Sequence, residues 1–310
     1  MARMARDAGQ EAKLGEWIVS IDGTDAGRRL AMALALIAAF AHAALGALQK
    51  GRHDPWLTRG AVDICAGVIA IPLILFVVPV PSYDLAILLP GVMLIHLAFK
   101  WVMAMAYSRG AFTAVYPVVR GASPLATVAI AGVIFGESFT TGQWGGVLLL
   151  SGAIFGLAAY NLTRIDIDAV VLRAALGLAV LTGLITAIYT VYDAFAIRTA
   201  QDPFTFIAWF FFLELFLFPP LLWRRWQTAH GTAGPLFLRG LVGALIAYVS
   251  FGFIFLATRL DNVGEAAVLR ETSVIFAALL GWLFLKERIG PIRSLLMVVI
   301  ALGAILVEFG

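Results

Sequence analysis

Arg120 and Arg270 each stand inside a long apolar stretch of this chain, where a charge is costly to hold and marks a functional site by default. They lie 150 residues apart, and the same offset relates Arg109 to Arg259, Ser123 to Ser273 and Glu137 to Glu287. A guanidinium presents a planar fork of donors that suits a carboxylate, phosphonate or phosphate. A symmetric pair of such forks near the middle of a repeated fold points to a solute site between two halves. The competing reading makes Arg120 a structural staple that ties together carbonyls of a broken helix.

Glu271 follows Arg270 where Gly121 follows Arg120, so the two halves are not chemically equivalent. Its carboxylate could neutralise an arginine, bind a cationic group or carry a proton; an ion pair with no transport role is the alternative. Neighbouring helical residues point about 100° apart, so Arg270 and Glu271 are expected to find partners on other helices. The remaining candidates for the site are Tyr116, Tyr192 and Tyr248, which would shape a cavity, with Ser123 and Ser273. His42 and His96 could titrate in the physiological range, or be hydrogen-bonded structure. Glu214 and Asp193 are candidates for coupling. Tyr189, Asp63 and Lys100 also fall in apolar runs, and Lys100 could snorkel to an interface.

The elements that must carry these residues follow from composition. The chain has 310 residues, 62% of them hydrophobic and 13% charged, against about 25% charged in soluble domains. The net charge of +3 is too small to argue for nucleic acid. One cysteine, Cys65, excludes a disulfide framework within the chain. No phosphate-binding loop, zinc site or catalytic triad is recognisable, so neither cofactor nor metal is expected.

Ten runs are long and apolar enough for spanning helices: about 30–48, 59–79, 85–106, 112–136, 142–160, 170–193, 204–223, 236–257, 263–285 and 290–308. The polar stretch from Asn161 to Asp168 divides them into halves of five, 30–160 and 170–308. An odd number of spans per half sends the second half into the membrane from the opposite side. The expected fold is therefore an all-α membrane protein, ten transmembrane helices as two inverted-topology repeats of five. Pro117, Gly121 and Pro124 are expected to interrupt the fourth span beside Arg120. Gly152 and Gly156 form a GxxxG that would allow close packing on the fifth span. In the polar tail 1–29, Leu14, Trp17, Ile18 and Ile21 have the spacing of a short interfacial helix, with a disordered tail as the alternative. Lysines and arginines flanking the spans would place both termini outside.

These residues resemble the drug/metabolite transporter superfamily, EamA type. Tyr116-Pro117-Val118-Val119-Arg120-Gly121 with Ser123-Pro124, leading to Gly136-Glu137, resembles that family's fourth span. Leu269-Arg270-Glu271-Thr272-Ser273, ending in Leu285-Lys286-Glu287-Arg288, resembles its ninth. His42-Ala43 through Lys50, with Asp54-Pro55 after it, resembles the end of its first, although Ala44-Leu45-Gly46 replaces the family's tryptophan-asparagine pair. The resemblance covers about residues 30–308 and implies inverted repeats around a cavity lined by spans one, three, four, six, eight and nine. It implies cytoplasmic termini, against the charge count, and names no substrate.

The function read from these features is a secondary transporter in the cell (inner) membrane, not an enzyme. It would move a small polar metabolite with an anionic group by alternating access, its partners being that substrate, the lipid bilayer and a coupling proton or counter-substrate. A lipid-modifying membrane enzyme and a non-transporting receptor or assembly subunit are the alternatives.

Overall fold

The computed structural model describes residues 14–49, 55–109, 112–163, 169–217, 219–228, 233–285 and 290–310. The sequence features at 1–13, Lys50, Arg52, Asp54, 164–168, Lys286, Glu287 and Arg288 lie outside the described residues. All regular secondary structure among the described residues is helical, without strands. In chain order the helices are α1 (14–20), α2 (Asp25–Gln49), α3 (Pro55–Phe76), α4 (Tyr83–Arg109), α5 (Phe112–Phe135), α6 (Thr141–Leu162), α7 (Ala169–Thr199) and α8 (Pro203–Leu217). After a 3₁₀ turn at Pro219–Leu222 come α9 (Trp223–Thr228), α10 (Ala233–Ala247), a π-helical turn at Tyr248–Gly252, α11 (Phe253–Leu260), α12 (Val263–Glu271), α13 (Ser273–Leu285) and α14 (Pro291–Phe309).

Their boundaries follow ordinary capping chemistry. α3, α8 and α14 begin on proline, which needs no donor at the first helical position. The Asp202 carboxylate accepts from the Phe204 and Thr205 amides and so caps α8. Thr140 and Gln143 form a reciprocal capping box at the start of α6. α5 ends at Gly136, whose φ of +69° is the left-handed conformation that glycine adopts without strain.

Nine helices among the described residues are long and apolar enough to cross a bilayer. The remaining expected span, 204–223, is the 15-residue α8 followed by the 3₁₀ turn, because Pro219 and Pro220 cannot continue an α-helix. At about 1.5 Å per residue α8 is near 22 Å long, shorter than a hydrocarbon core of about 30 Å.

The chain forms two compact units, Met1–Leu94 with Asp193–Asp261 and Ile95–Tyr192 with Asn262–Gly310. Each draws on both halves of the sequence. In the first unit, Gly240 lets α10 lie against α3, where an added Cβ would come within 2.8 Å of the Ala61 carbonyl. Phe255 packs edge to face on both Phe206 and Phe210, with centroids 5.1 and 4.9 Å apart. Arg198 donates to the Thr258 and Asp261 carbonyls at 3.0 and 2.7 Å, and Arg259 donates to those of Ile197 and Ala200. Each arginine thus serves the C-terminal end of the other's helix, where carbonyls lack intrahelical donors and the dipole favours a cation. α1 is helical over 14–20, with Ile18 buried and Leu14 and Trp17 exposed.

In the second unit α6 and α14 run antiparallel, closest at Gly146 and Gly303. A Cβ on Gly146 would stand 2.6 Å from the Gly303 carbonyl, and one on Gly303 2.8 Å from that of Gly146. The close approach expected at Gly152 is not there, since among the described residues nothing lies within 4 Å of its Cβ position, and Gly156 meets the Leu296 side chain. The sequence motif marked the right helix and the wrong turn. The helix interruption also falls elsewhere than expected. α5 runs unbroken through Pro117 and Pro124, whereas the chain breaks at Thr272, between α12 and α13, without proline. There the Thr272 hydroxyl donates to the Leu269 carbonyl at 2.6 Å, a side-chain bond that competes with the helical ladder.

Candidate functional site

α5 and α12 lie antiparallel within the second unit, and their ends are pinned by Glu137. Its carboxylate accepts from the Val263 and Gly264 amides at 2.7 and 3.1 Å, at the start of α12. An anion there satisfies free donors and complements the helix dipole. Glu265 in the same turn accepts from Gln143 at 2.9 Å and from Asn262 at 3.0 Å. These hydrogen bonds tie the start of α12 to the end of α5 and to α6, and so hold the register of α12 along α5.

That register brings Arg120 opposite the C-terminal end of α12. Its Nη1 donates to Glu271 Oε1 at 3.0 Å, its Nη2 to Ser273 Oγ at 3.3 Å and its Nε to Tyr116 Oη at 3.2 Å. The guanidinium carbon also lies 5.3 Å from the Tyr116 ring centroid. Arg270 Nη2 is 3.6 Å from the same Glu271 oxygen and 3.4 Å from Thr190 Oγ1 on α7. Arg120, Arg270 and Glu271 are 4%, 4% and 0% exposed. Glu271 therefore takes its principal partner from another helix, as the divergence of adjacent helical side chains requires.

The cluster is not fully satisfied. Among the described residues, Glu271 Oε2, Arg270 Nε and Ser123 Oγ are buried without a hydrogen-bond partner. The offset relating Ser123 to Ser273 is broken in detail, since Arg120 reaches Ser273 but Arg270 does not reach Ser123. Gly121, the counterpart of Glu271, faces Phe155, whose ring atoms would stand 3.2 Å from an added Cβ. An acidic side chain there would meet an aromatic ring.

Of the other candidates in this unit, His96 is buried with its ring 4.5 Å from that of Tyr189, and Tyr192 is half-buried. Sequence reasoning did not single out Thr190 as a site residue. Its signal is the spacing Thr182, Thr186, Thr190 on α7, where each hydroxyl donates to the carbonyl four residues back. Gly183 sets α7 against α5, its Cβ position being 2.8 Å from the Val119 carbonyl. Lys100 is buried rather than snorkelling outward.

The first unit holds His42, Asp193, Glu214 and Tyr248. His42 Nδ1 lies 3.3 Å from Ser250 Oγ, in the π-helical turn, and its ring meets Phe251 edge-on. Tyr248 donates to the Ala66 carbonyl at 3.0 Å and packs on Phe211 at 3.9 Å between centroids. Asp193 and Glu214 are buried. Asp63 pairs with Arg59 at 3.0 Å, one turn away on α3. A cavity of about 520 Å³ in this unit, bounded by α1, α3, α8 and the π-helical turn, is mostly apolar; of the candidates only Tyr248 lines it.

A multi-pass helical membrane protein with a buried arginine–glutamate cluster is the class so defined. Residues 173–309 match the EamA-like transporter family, which bears out the resemblance to the drug/metabolite transporter superfamily. No curated protein matches the chain. A solved structure described only as a crystal structure of a protein is 16% identical, with a TM-score of 0.73 over 92% of this chain and 98% of that one. At that identity the likeness is one of fold alone.

Proposed function

We propose that the protein is a secondary transporter that moves a small polar metabolite with an anionic group across the inner membrane by alternating access. The observation that carries this reading is the burial of two guanidiniums that share a single carboxylate among the described residues, which leaves one positive charge over in that group. Such a charge is expensive in a low-dielectric interior and is repaid by an anion. The unfilled hydrogen-bonding groups Arg270 Nε and Ser123 Oγ supply further donors for it. Arg120 and Arg270 hold the substrate, and Glu271, Ser123, Ser273 and Tyr116 bound it, with His96 and Tyr192 in the same unit; His42 and Tyr248 are the first unit's own candidates for substrate contact. Asp193 and Glu214 are the coupling candidates.

The antiparallel course of α5 against α12 and of α6 against α14 supports two inverted repeats, 30–160 and 170–308. In such a pair of repeats the equivalent helices of opposite halves run in opposite directions. The test is a thermal-shift screen of purified protein against amino acids, organic acids, phosphonates, polyamines and nucleosides, followed by flux of each hit into liposomes. Anionic hits that are also transported are the expected result. Stabilisation and flux confined to cationic or neutral compounds would overturn it.

A further inference from the structure

We infer that Glu271 sets the charge of the substrate: it cancels one of the two buried arginines, so the site accepts a single negative charge, and a dianion enters only with a proton. This rests on the anion-carrier reading and adds the charge class of the solute and the residue that selects it.

The argument is a count of charges at one buried place. Arg120 and Arg270 both lie within ion-pair distance of Glu271 Oε1, at 3.0 and 3.6 Å. Two cations and one carboxylate leave a net charge of +1. Among the described residues, Tyr116 of α5 hydrogen-bonds Arg120, and Tyr189, next to Thr190 on α7, stacks against His96 of α4. A monoanion brings the cluster to zero. A dianion brings it to −1 with Glu271 ionised, and no further cation is in direct contact with Glu271 or Arg120 among the described residues. Uptake of one proton, by Glu271 or by the solute, restores neutrality.

Geometry agrees with the count. Glu271 Oε1 occupies one prong of the Arg120 fork and Ser273 accepts from the other, so a substrate carboxylate competes with Glu271 for the same guanidinium. Among the described residues Glu271 Oε2 has no hydrogen-bond partner, and it is the oxygen at which a proton can sit without breaking the pair. Gly121 cannot play this part in the first half, because it has no side chain and faces Phe155.

The test uses the full-length protein in detergent, with thermal unfolding followed at constant ionic strength as formate (monoanion) or sulfate (dianion) is raised. The wild type is expected to be stabilised saturably by formate and, at neutral pH, little by sulfate. Glu271→Gln keeps the shape of the side chain and raises the net charge to +2. Its apparent affinity for sulfate is expected to exceed the wild type's at least about tenfold, in line with coupling energies between close charges. Glu271→Asp is expected to keep the wild-type order of anions. The same anion ranking in Glu271→Gln and the wild type, including no response in either, overturns the inference. Should Glu271→Gln not fold, the wild type decides: its apparent affinity for sulfate should rise about tenfold per unit fall in pH, one proton being taken up with each dianion. A pH-independent sulfate affinity overturns the inference. Failure of the underlying reading looks different. An undiminished formate response in both Arg120→Lys and Arg270→Lys removes the anion site itself. A formate response lost in those variants, with an unmoved ranking in Glu271→Gln, removes only the role given to Glu271.

Discussion

Arg120 reaches across from α5 to Glu271 at 3.0 Å, while Arg270, next to Glu271 in the chain, stays 3.6 Å from the same oxygen. The contact between distant residues is the shorter one. The Glu137 cap on α12 sets the register that makes it so.

If Arg120 contacts substrate, Arg120→Lys should yield folded protein whose affinity for the anions found by the screen is reduced roughly 10- to 150-fold. That corresponds to the loss of a charge-assisted hydrogen bond of about 1.5–3 kcal/mol. Binding titrations of the monodisperse variant measure it. A lowered melting temperature with near-normal affinity would show Arg120 to be a staple instead.

Removing Glu271 should cost about 3–5 kcal/mol, since it leaves two guanidiniums buried without their carboxylate. Removing Arg120 leaves the Arg270–Glu271 pair and should cost less, and the double removal should cost less than the sum of the two. Arg120→Met and Glu271→Met, singly and combined, form a double-mutant cycle read by chemical denaturation. Additive losses would mean that the two side chains are not energetically coupled.

Glu137→Ala should destabilise the start of α12 by about 0.5–2 kcal/mol, the range for a lost helix cap. Hydrogen exchange should quicken at the Val263 and Gly264 amides, which donate to this carboxylate, and remain unchanged along α10. Uniform loss of protection over the whole chain would speak against a local cap.

Gly146→Ala and Gly303→Ala should each destabilise by about 1–3 kcal/mol, because a methyl group there meets opposing backbone. Gly152→Ala, with open space at its Cβ position, should be neutral or stabilising by up to about 1 kcal/mol. Melting temperatures of the three variants in one detergent decide between them. An equal response at all three positions would contradict the packing.

Much of this was readable beforehand, for physical reasons that differ by residue. The helices were legible because long apolar runs in lipid can satisfy their backbone groups in few other ways. Arg120, Arg270 and Glu271 were legible because charge at mid-span is rare enough to signal by itself. Gly146 was not, because a close approach depends on which turn of α14 faces α6, and a local motif such as Gly152–Gly156 carries no knowledge of its partner. Pro117 and Pro124 misled because a missing donor forces a break only where nothing else holds the helix. Thr272 escaped notice because a hydroxyl can bond outward or back to its own helix, and the sequence does not state which.

The mutual contact of Gly146 and Gly303 has a consequence for how this protein can change over generations. Each glycine stands where the other's side chain would need room, so neither position can enlarge first and be rescued by its partner later. Both are already the smallest residue available. The α6–α14 seam can therefore vary in the residues around it while this one crossing stays closed to substitution from either side, and the neighbouring turns inherit the spacing it imposes.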